Sequence, residues 1–512
     1  MIRTLGLALD PRSGEPMYRQ IFDQVVARIR SGAFPAGFRL PPTRSLANVL
    51  GTNRNTVVAA YEDLVAAGFV ASTVGRGTFV AGQQPPATRV ATGGVALAAG
   101  ELPWGALCAR AVFAEPLTRV DRLQRSTGPM STDTINLARM EPSADQIPHE
   151  LIRRCTDHVL RSLGGKALKY SARDGVPRLR AIISEDLARL GVPAPADDIV
   201  VTSGSQQAID LVARALVNPG DPFLLNESTY AGALNIFSAA GARLIAIPSD
   251  AEGPSLAALE RVGHVGAKGF YLMPNSHNPT GACISAARRQ ALVTWSRRVG
   301  IPLIEDDFVA DLALDGTPPP TALRALDGDV IHVGTFSKRL APALRVGFMV
   351  VPPALRPKIV SLKHAIDTGG SELLQHVVAE FLERGYLGAH LAKVLPEYHR
   401  RREALEAGLA RHLPKEMTWR RAEFGVSLWL PLPAALSAQE VFEQAQRKGV
   451  LVHPGGLNAV DDHDRSPGGI RLTFCSEPPA RLAEGARRLG RAVAAIDTRA
   501  GNEQTAPAVG GI

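Results

Sequence analysis

GTFSKRLAPALRVG, residues 334–347, places Lys338 just behind an apolar run, among small or apolar neighbours, with Arg345 seven positions further on. A lysine in such surroundings loses solvation, so its amine is more readily neutral and able to form a Schiff base with an aldehyde. Alone the feature is weak, because a lysine after a strand is ordinarily a solvated surface charge. Arg345, behind Pro342, can make a charge-assisted pair with a phosphate. Upstream, TSGSQQ at 202–207 follows DDIVV and opens the helical pattern QQAIDLVARAL. Ser203, Gly204, Ser205 and Gln206 therefore offer backbone and side-chain donors to the same phosphate at a helix N-terminus. A Gly-Ser turn before a helix is usually only a cap. A strand, a turn, a helix and a distant Lys/Arg pair are harder to explain as capping.

Three further stretches match an aromatic nitrogen heterocycle with a phosphate arm. Asp306, at the end of the apolar run IPLIEDDF, is a carboxylate suited to keeping a pyridine nitrogen protonated, which makes the ring a stronger electron sink; Asp307 is the alternative in register. Asn278, in NSHNPTG at 275–281, can donate to a phenolic oxygen, and Tyr230, in ESTY, can stack on the ring. Arg471, in IRLTF, can clamp a carboxylate in bidentate fashion. Aldehyde, phosphate and pyridine together describe pyridoxal 5'-phosphate.

The chain has 512 residues, 45% of them hydrophobic and 21% charged, which is globular composition and too long for one ordinary domain. The net charge is +8. Residues 1–80 hold nine Arg and no Lys against five Asp plus Glu, so positive charge gathers at the N-terminus and suits a polyanionic partner. Cys108, Cys155, Cys283 and Cys475 form no CxxC pair and no metal set with histidine, so no metal is expected, and the thiols are expected to be reduced and mostly buried. The opening MIRTLGLALDP is too short for a signal peptide, and no apolar run approaches the roughly 20 residues of a membrane span. The expectation is a cytoplasmic protein without membrane association.

In the basic N-terminal part, MYRQIFDQVVARIRSG puts Ile21, Val25, Val26 and Ile29 on one helical face and stops at Gly32. Thr43 is a candidate cap for a short helix, TRSLANVLG, and a third helix starts at Asn53 and stops at Gly68. FVASTV and GTFVAG then alternate as two strands around Gly75-Arg76-Gly77. Helix, helix-turn-helix and hairpin make a winged helix over residues 13–81. A Pro/Gly/Ala-rich linker with room for one helix follows over 82–130. From 131 to 495 short apolar strands alternate with amphipathic helices, which implies βαβ units and a mainly parallel sheet. Residues 496–512 read as a disordered tail.

The segment LPPTRSLA, NRNTV, AYEDLVAAGFV and GRGTFV resembles the GntR-type winged helix. That resemblance implies base and phosphate contacts from Arg44, Arg54, Asn55 and Thr56, with Gly75, Arg76 and Gly77 entering a minor groove. Residues at the start of the second helix of such a pair are where base edges are read. The larger region resembles fold-type I aminotransferases. By that likeness Lys338 carries the cofactor, Arg345 binds its phosphate, Ser337 is a further cofactor-binding residue, Asn278 and Asp306 hold the ring, Arg471 binds carboxylate, and Tyr170 reaches a partner copy's phosphate. In one place the pattern departs: where the family commonly has a tyrosine shortly after the ring aspartate, this chain has Phe308, which cannot donate a hydrogen bond. Loss of one such bond costs about 0.5–1.5 kcal/mol, compatible with cofactor binding but not with full electronic tuning.

The order winged helix, linker, aminotransferase-like domain resembles the MocR/GabR subfamily of GntR regulators. The resemblance implies a homodimeric, pyridoxal phosphate-dependent transcription factor that binds a double-stranded DNA operator and senses an amine, an amino acid or the cofactor itself at Lys338. The alternative is a catalytically active aminotransferase with a fused DNA-binding head.

Overall fold

Ile21, Val25 and Val26 on the first helix, Val57, Ala60 and Leu64 on the third, and Leu46 between them are all buried, so three helical stripes meet in one small core. The computed structural model describes residues 7, 9, 16–30, 33–34, 37–67, 69–73, 77–80, 107–114, 116–119, 131–309, 311–460 and 468–504. Its contacts divide the chain into two units, 1–103 and 104–512.

The first unit comprises α1 (Met17–Arg30), β1 (Arg39–Leu40), α2 (Thr43–Leu50), α3 (Arg54–Ala66), β2 (Val70–Thr73) and β3 (Gly77–Val80). Asn53 caps α3 by accepting from the Asn55 amide at 3.0 Å, and Gly51 ends α2 in the left-handed region at φ 62°. Thr43 is not the cap of α2 but its first residue. Pro42 holds the non-helical position before it, at φ −55° and ψ 141°, and contributes no side-chain bond. The hairpin is a three-stranded antiparallel sheet of order β1-β3-β2. Strand β1, two residues inside FPAGFRLPP and closed off by Pro41, is too short to show alternation.

The second unit holds a seven-stranded sheet of order β5-β13-β12-β11-β10-β6-β7. In chain order these are β5 (Ile199–Thr202), β6 (Pro222–Asn226), β7 (Arg243–Ile247), β10 (Phe270–Leu272), β11 (Leu303–Asp307), β12 (Ile331–Thr335) and β13 (Gly347–Val350). Strands β4 (Ile135–Asn136), β8 (Ser249–Asp250) and β9 (Gly253–Pro254) lie outside it. Strand β13 runs antiparallel to both neighbours and the other six strands run parallel, as the βαβ alternation requires. Ile199 and Val201 enter one core cluster while Val200 enters another, so helices cover both faces and the strands read as continuous apolar runs. A smaller antiparallel sheet, β14 (Ser427–Pro431), β17 (Gly469–Thr473) and β16 (His453–Pro454), adjoins β15 (Val450–Leu451), which pairs with β4.

Two boundaries differ from expectation. The final helix runs from Pro479 to Gln504, so the chain stays helical past 496, where a disordered tail was expected. Once a helix is nucleated, each added residue gains a hydrogen bond at little further cost, and polar composition alone does not stop it. Residues 505–512 lie outside the described residues. The second half of the expected linker belongs to the larger unit: Arg110–Phe113 forms a 3-10 turn, and Arg119 is 8% exposed. Of the thiols, Cys155 and Cys475 are buried, Cys283 is half-buried and Cys108 is exposed, so half rather than most are enclosed.

Candidate functional site

Strands β5, β11 and β12 end on one side of the sheet, where open α/β sheets hold their ligands, at a cavity of about 310 Å³. Strand β5 delivers the turn Ser203-Gly204 and the 12-residue helix Ser205–Leu216. Gly204 has φ 86°, and a Cβ there would stand 2.7 Å from Arg345 Nη2, so only glycine lets the guanidinium lie against the turn. Arg345 Nη2 donates to the Ser203 carbonyl at 2.9 Å. The turn is braced from behind: the Ser203 amide donates to Gln207 Oε1 at 2.8 Å, and Gln207 Nε2 donates to Asp367 Oδ2 at 2.9 Å. Asp367 also pairs with buried Lys363 at 3.0 Å. Ser205, Gln206, Ser337 and Arg345 line the cavity. Helix N–H groups, hydroxyls and a guanidinium converging there are a suitable anion cradle.

Lys338 enters the same cavity, and its Nζ donates to the Met140 carbonyl. Burial pulls its pKa below the usual lysine range, and the charges of Arg471 and Arg345 act in the same sense. The neutral amine needed for carbonyl chemistry is thereby favoured. Tyr230 lines the cavity too, donating its hydroxyl to Gln206 Oε1 at 2.9 Å. Its ring lies over Gly232, where a Cβ would stand 2.4 Å from the ring.

Side-chain alternation along β11 settles which acidic residue faces the cavity. Asp306 lines it, and Asp307 points to the other face of the sheet. Tyr271 on β10 donates its hydroxyl to Asp306 Oδ2 at 2.6 Å, whereas buried Oδ1 has no partner. Burial pushes the Asp306 carboxyl up to about 7, reinforced by the charge of Asp307. A buried carboxylate oxygen without a donor on a cavity wall fits the protonated nitrogen of a pyridine ring. A folded-state pKa raised from 3.8 means that the native state keeps a proton the unfolded chain releases. Stability from this group is therefore present below 3.8 and declines as pH rises to about 7. In thermal melts of cofactor-free protein across that window, Asp306→Asn should give a flatter dependence of Tm on pH than the wild type. Parallel curves would contradict the assignment.

On the facing wall Arg471, 6% exposed, donates from Nη1 to Asn278 Oδ1 at 2.7 Å and from Nη2 to the Ala138 carbonyl at 3.0 Å. Its Nε has no partner. Burial lowers its pKa to about 10, so it stays charged at neutral pH. With Oδ1 engaged, Asn278 keeps its amide nitrogen as the donor for a ligand. Phe308 completes the wall without a hydroxyl.

The remaining sequence candidates lie elsewhere. Tyr170 is 88% exposed and does not line the cavity; it makes an isolated antiparallel bridge with Ser371. Arg44, Arg54 and Asn55 are exposed at the starts of α2 and α3, Thr56 is half-buried behind them, and Gly77 opens β3 at φ 112°. Gly75 and Arg76 lie outside the described residues. Of the polar groups at the cavity, those of Met140, His453 and Asn458, which line it, and of Tyr271, which bonds Asp306, went unmarked in the sequence. Met140 acts through its carbonyl, which no side-chain pattern reveals. Tyr271 sits in an apolar run where its hydroxyl must find a partner, a usable signal. His453 and Asn458 fall in a turn-rich stretch without periodicity.

The chain matches the model of aminotransferase class I and II over residues 132–489 and that of bacterial regulatory proteins of the gntR family over 17–80. The probable rhizopine catabolism regulatory protein MocR of Rhizobium meliloti is 32% identical over 502 residues, covering 96% of this chain and 97% of that protein. This chain belongs to the MocR subfamily of GntR regulators. The uncharacterized HTH-type transcriptional regulator YdfD of Bacillus subtilis is 30% identical over 488 residues, covering 94% of this chain and 98% of YdfD. Among solved structures, LysN, the alpha-aminoadipate aminotransferase of Thermus thermophilus complexed with N-(5'-phosphopyridoxyl)-L-leucine, superposes with a TM-score of 0.71 at 30% identity, over 78% of this chain and 100% of LysN. The MocR-type chain is thus a transcriptional regulator with a DNA-binding winged helix and a pyridoxal phosphate-dependent aminotransferase-type domain. Among the described residues no helix is long and apolar enough to cross a membrane.

Proposed function

We propose that this MocR-type regulator senses a primary amine bearing a carboxylate in the cofactor cavity at Lys338, and that occupancy of this site changes how the protein holds operator DNA. The observation that carries the reading is the pairing, in one cavity, of a desolvated lysine with a buried arginine whose Nε is unpartnered. Pyridoxal phosphate supplies an aldehyde that condenses with primary amines and a ring that withdraws electrons. The chain does the rest. With the cofactor bound, Ser203, Gly204, Ser205, Gln206, Ser337 and Arg345 would hold the phosphate, Asp306 would keep the ring nitrogen protonated, Asn278 would donate to the phenolic oxygen, and Tyr230 would cover the ring. The Met140 carbonyl accepts from the free Lys338 amine and would hold it when it carries no cofactor. Arg471 orients the carboxylate of the incoming ligand.

Arg44, Arg54, Asn55 and Thr56 read the operator, with Gly75, Arg76 and Gly77 at the wing. The protein acts as a cytoplasmic homodimer in which Tyr170 reaches the phosphate of the other copy; its 88% exposure supports that role. Coupling to the linker is supported by Arg119, whose Nη1 donates to the carbonyls of Gly456 at 2.7 Å and Ala459 at 3.0 Å. These carbonyls flank Asn458, which lines the cavity.

Visible absorption of the purified protein, titrated with primary amines beside a Lys338→Ala control, tests the reading. A lysine-dependent band that shifts with one amine supports a sensor. A Lys338→Ala protein with the same band and the same shift would overturn it. The active aminotransferase remains a second reading, because the same lysine and arginine serve catalysis, and bleaching reversed by a 2-oxo acid would identify it. Arg471→Ala should weaken an amine with a carboxylate about ten- to a hundredfold, the usual worth of a hydrogen-bonded charge, and leave an amine without one unaffected. Equal losses for both would remove the arginine from the ligand.

A further inference from the structure

His453, on β16, stands in register with Arg471 on β17. Side chains of an antiparallel pair project from the same face, and both residues line the cavity. His453 Nε2 lies 2.7 Å from Asn458 Oδ1. Asn458 is 1% exposed, and its Nδ2 donates to the Thr229 carbonyl at 2.7 Å. A carbonyl only accepts, so the amide is held with its oxygen toward the imidazole. That oxygen requires the proton on Nε2. Burial, aided by the charge of Arg471, keeps the ring neutral, with its pKa pulled down to about 3. In a neutral imidazole protonated at Nε2, Nδ1 has a lone pair and no hydrogen. Among the described residues none bonds Nδ1. The cavity wall beside the carboxylate-binding arginine therefore holds an acceptor that cannot turn into a donor at physiological pH.

We propose that His453 is the residue that selects the effector, favouring amino acids whose side chain presents a hydrogen-bond donor, a hydroxyl, amide N–H or ammonium, over near-isosteric ones that present only carbon. The inference rests on the sensing reading above and adds the ligand's chemical class. Leaving a site acceptor unpaired is what discriminates against the apolar analogue. His453 is a specificity residue and takes no part in bond making at Lys338.

The test uses cofactor-loaded full-length protein and absorption titrations with three near-isosteric pairs: serine and alanine, threonine and valine, asparagine and leucine. In at least one pair the donor-bearing member should bind about three- to tenfold more tightly, the worth of one neutral hydrogen bond. In His453→Phe that ratio should fall to about one through loss of affinity for the donor-bearing member alone. Asn458→Leu, which frees the tautomer so that Nδ1 can carry the proton, should relax the same ratio with the imidazole still present. Ratios near one in the wild type, or a ratio unchanged in both variants, would overturn the role of His453 while leaving sensing intact. Absence of any spectral shift with all six amino acids, in a protein whose lysine-dependent band is present, would instead bring down the amino-acid sensing reading and this inference with it.

Discussion

Lys338→Ala is expected to abolish the response of operator binding to the effector while leaving basal affinity for DNA unchanged. The two halves of this outcome have separate physical origins. Lys338 lies in a cavity of the larger unit, with its amine on the Met140 carbonyl. The exposed arginine and asparagine at the start of α3 belong to a unit with its own core. Removing the amine removes the group that an incoming amine must displace, so ligand binding no longer differs between the two states of the protein. A ligand with no differential affinity shifts nothing. Coupling between sites is typically about 1–3 kcal/mol, so a wild-type change of about 5–150-fold in operator affinity should collapse to none, as read by fluorescence anisotropy of labelled operator. A variant that keeps the full response would show that signalling does not pass through Lys338.

Arg119→Ala should produce the complementary phenotype: a normal spectral titration with the effector, but a much weaker change in DNA affinity. Arg119 is 8% exposed and binds two carbonyls of the turn Gly455–Asn458 and its following residue. The same turn supplies Asn458, whose side chain bonds His453 on the cavity wall. Residues before Arg119 lead in sequence to the winged helix. Truncating the arginine leaves the cavity lining in place and releases the chain that follows the linker, so binding and response should separate. If spectral and DNA responses fall together, Arg119 supports the fold of the pocket rather than the coupling.

The parts of the site that were legible in the sequence are those whose chemistry depends on residue type at fixed local spacing. TSGSQQ had to be a turn before a helix because Gly204 adopts φ 86° and abuts Arg345. The choice of Asp306 over Asp307 came from the family resemblance, because EDDF by itself leaves both open; which of them faces the cavity is set by the register of β11. His453 and Asn458 were hidden for a related reason: their pairing spans a turn, and their relation to Arg471 is an antiparallel cross-strand contact. Thr43 illustrates the reverse error. A good capping residue does not cap when the proline before it already occupies the non-helical position. The extension of the last helix to Gln504 shows polar composition outweighed by helix propagation.

Cofactor-loaded protein bound to labelled operator can be titrated with effector amine while visible absorption and anisotropy are recorded together. If exchange at Lys338 controls the DNA-binding state, both signals change over the same concentration range, and neither changes in Lys338→Ala. An absorption shift that runs to completion with no change in anisotropy would rule out control through Lys338 and leave a DNA-binding protein whose cofactor chemistry is unconnected to its operator.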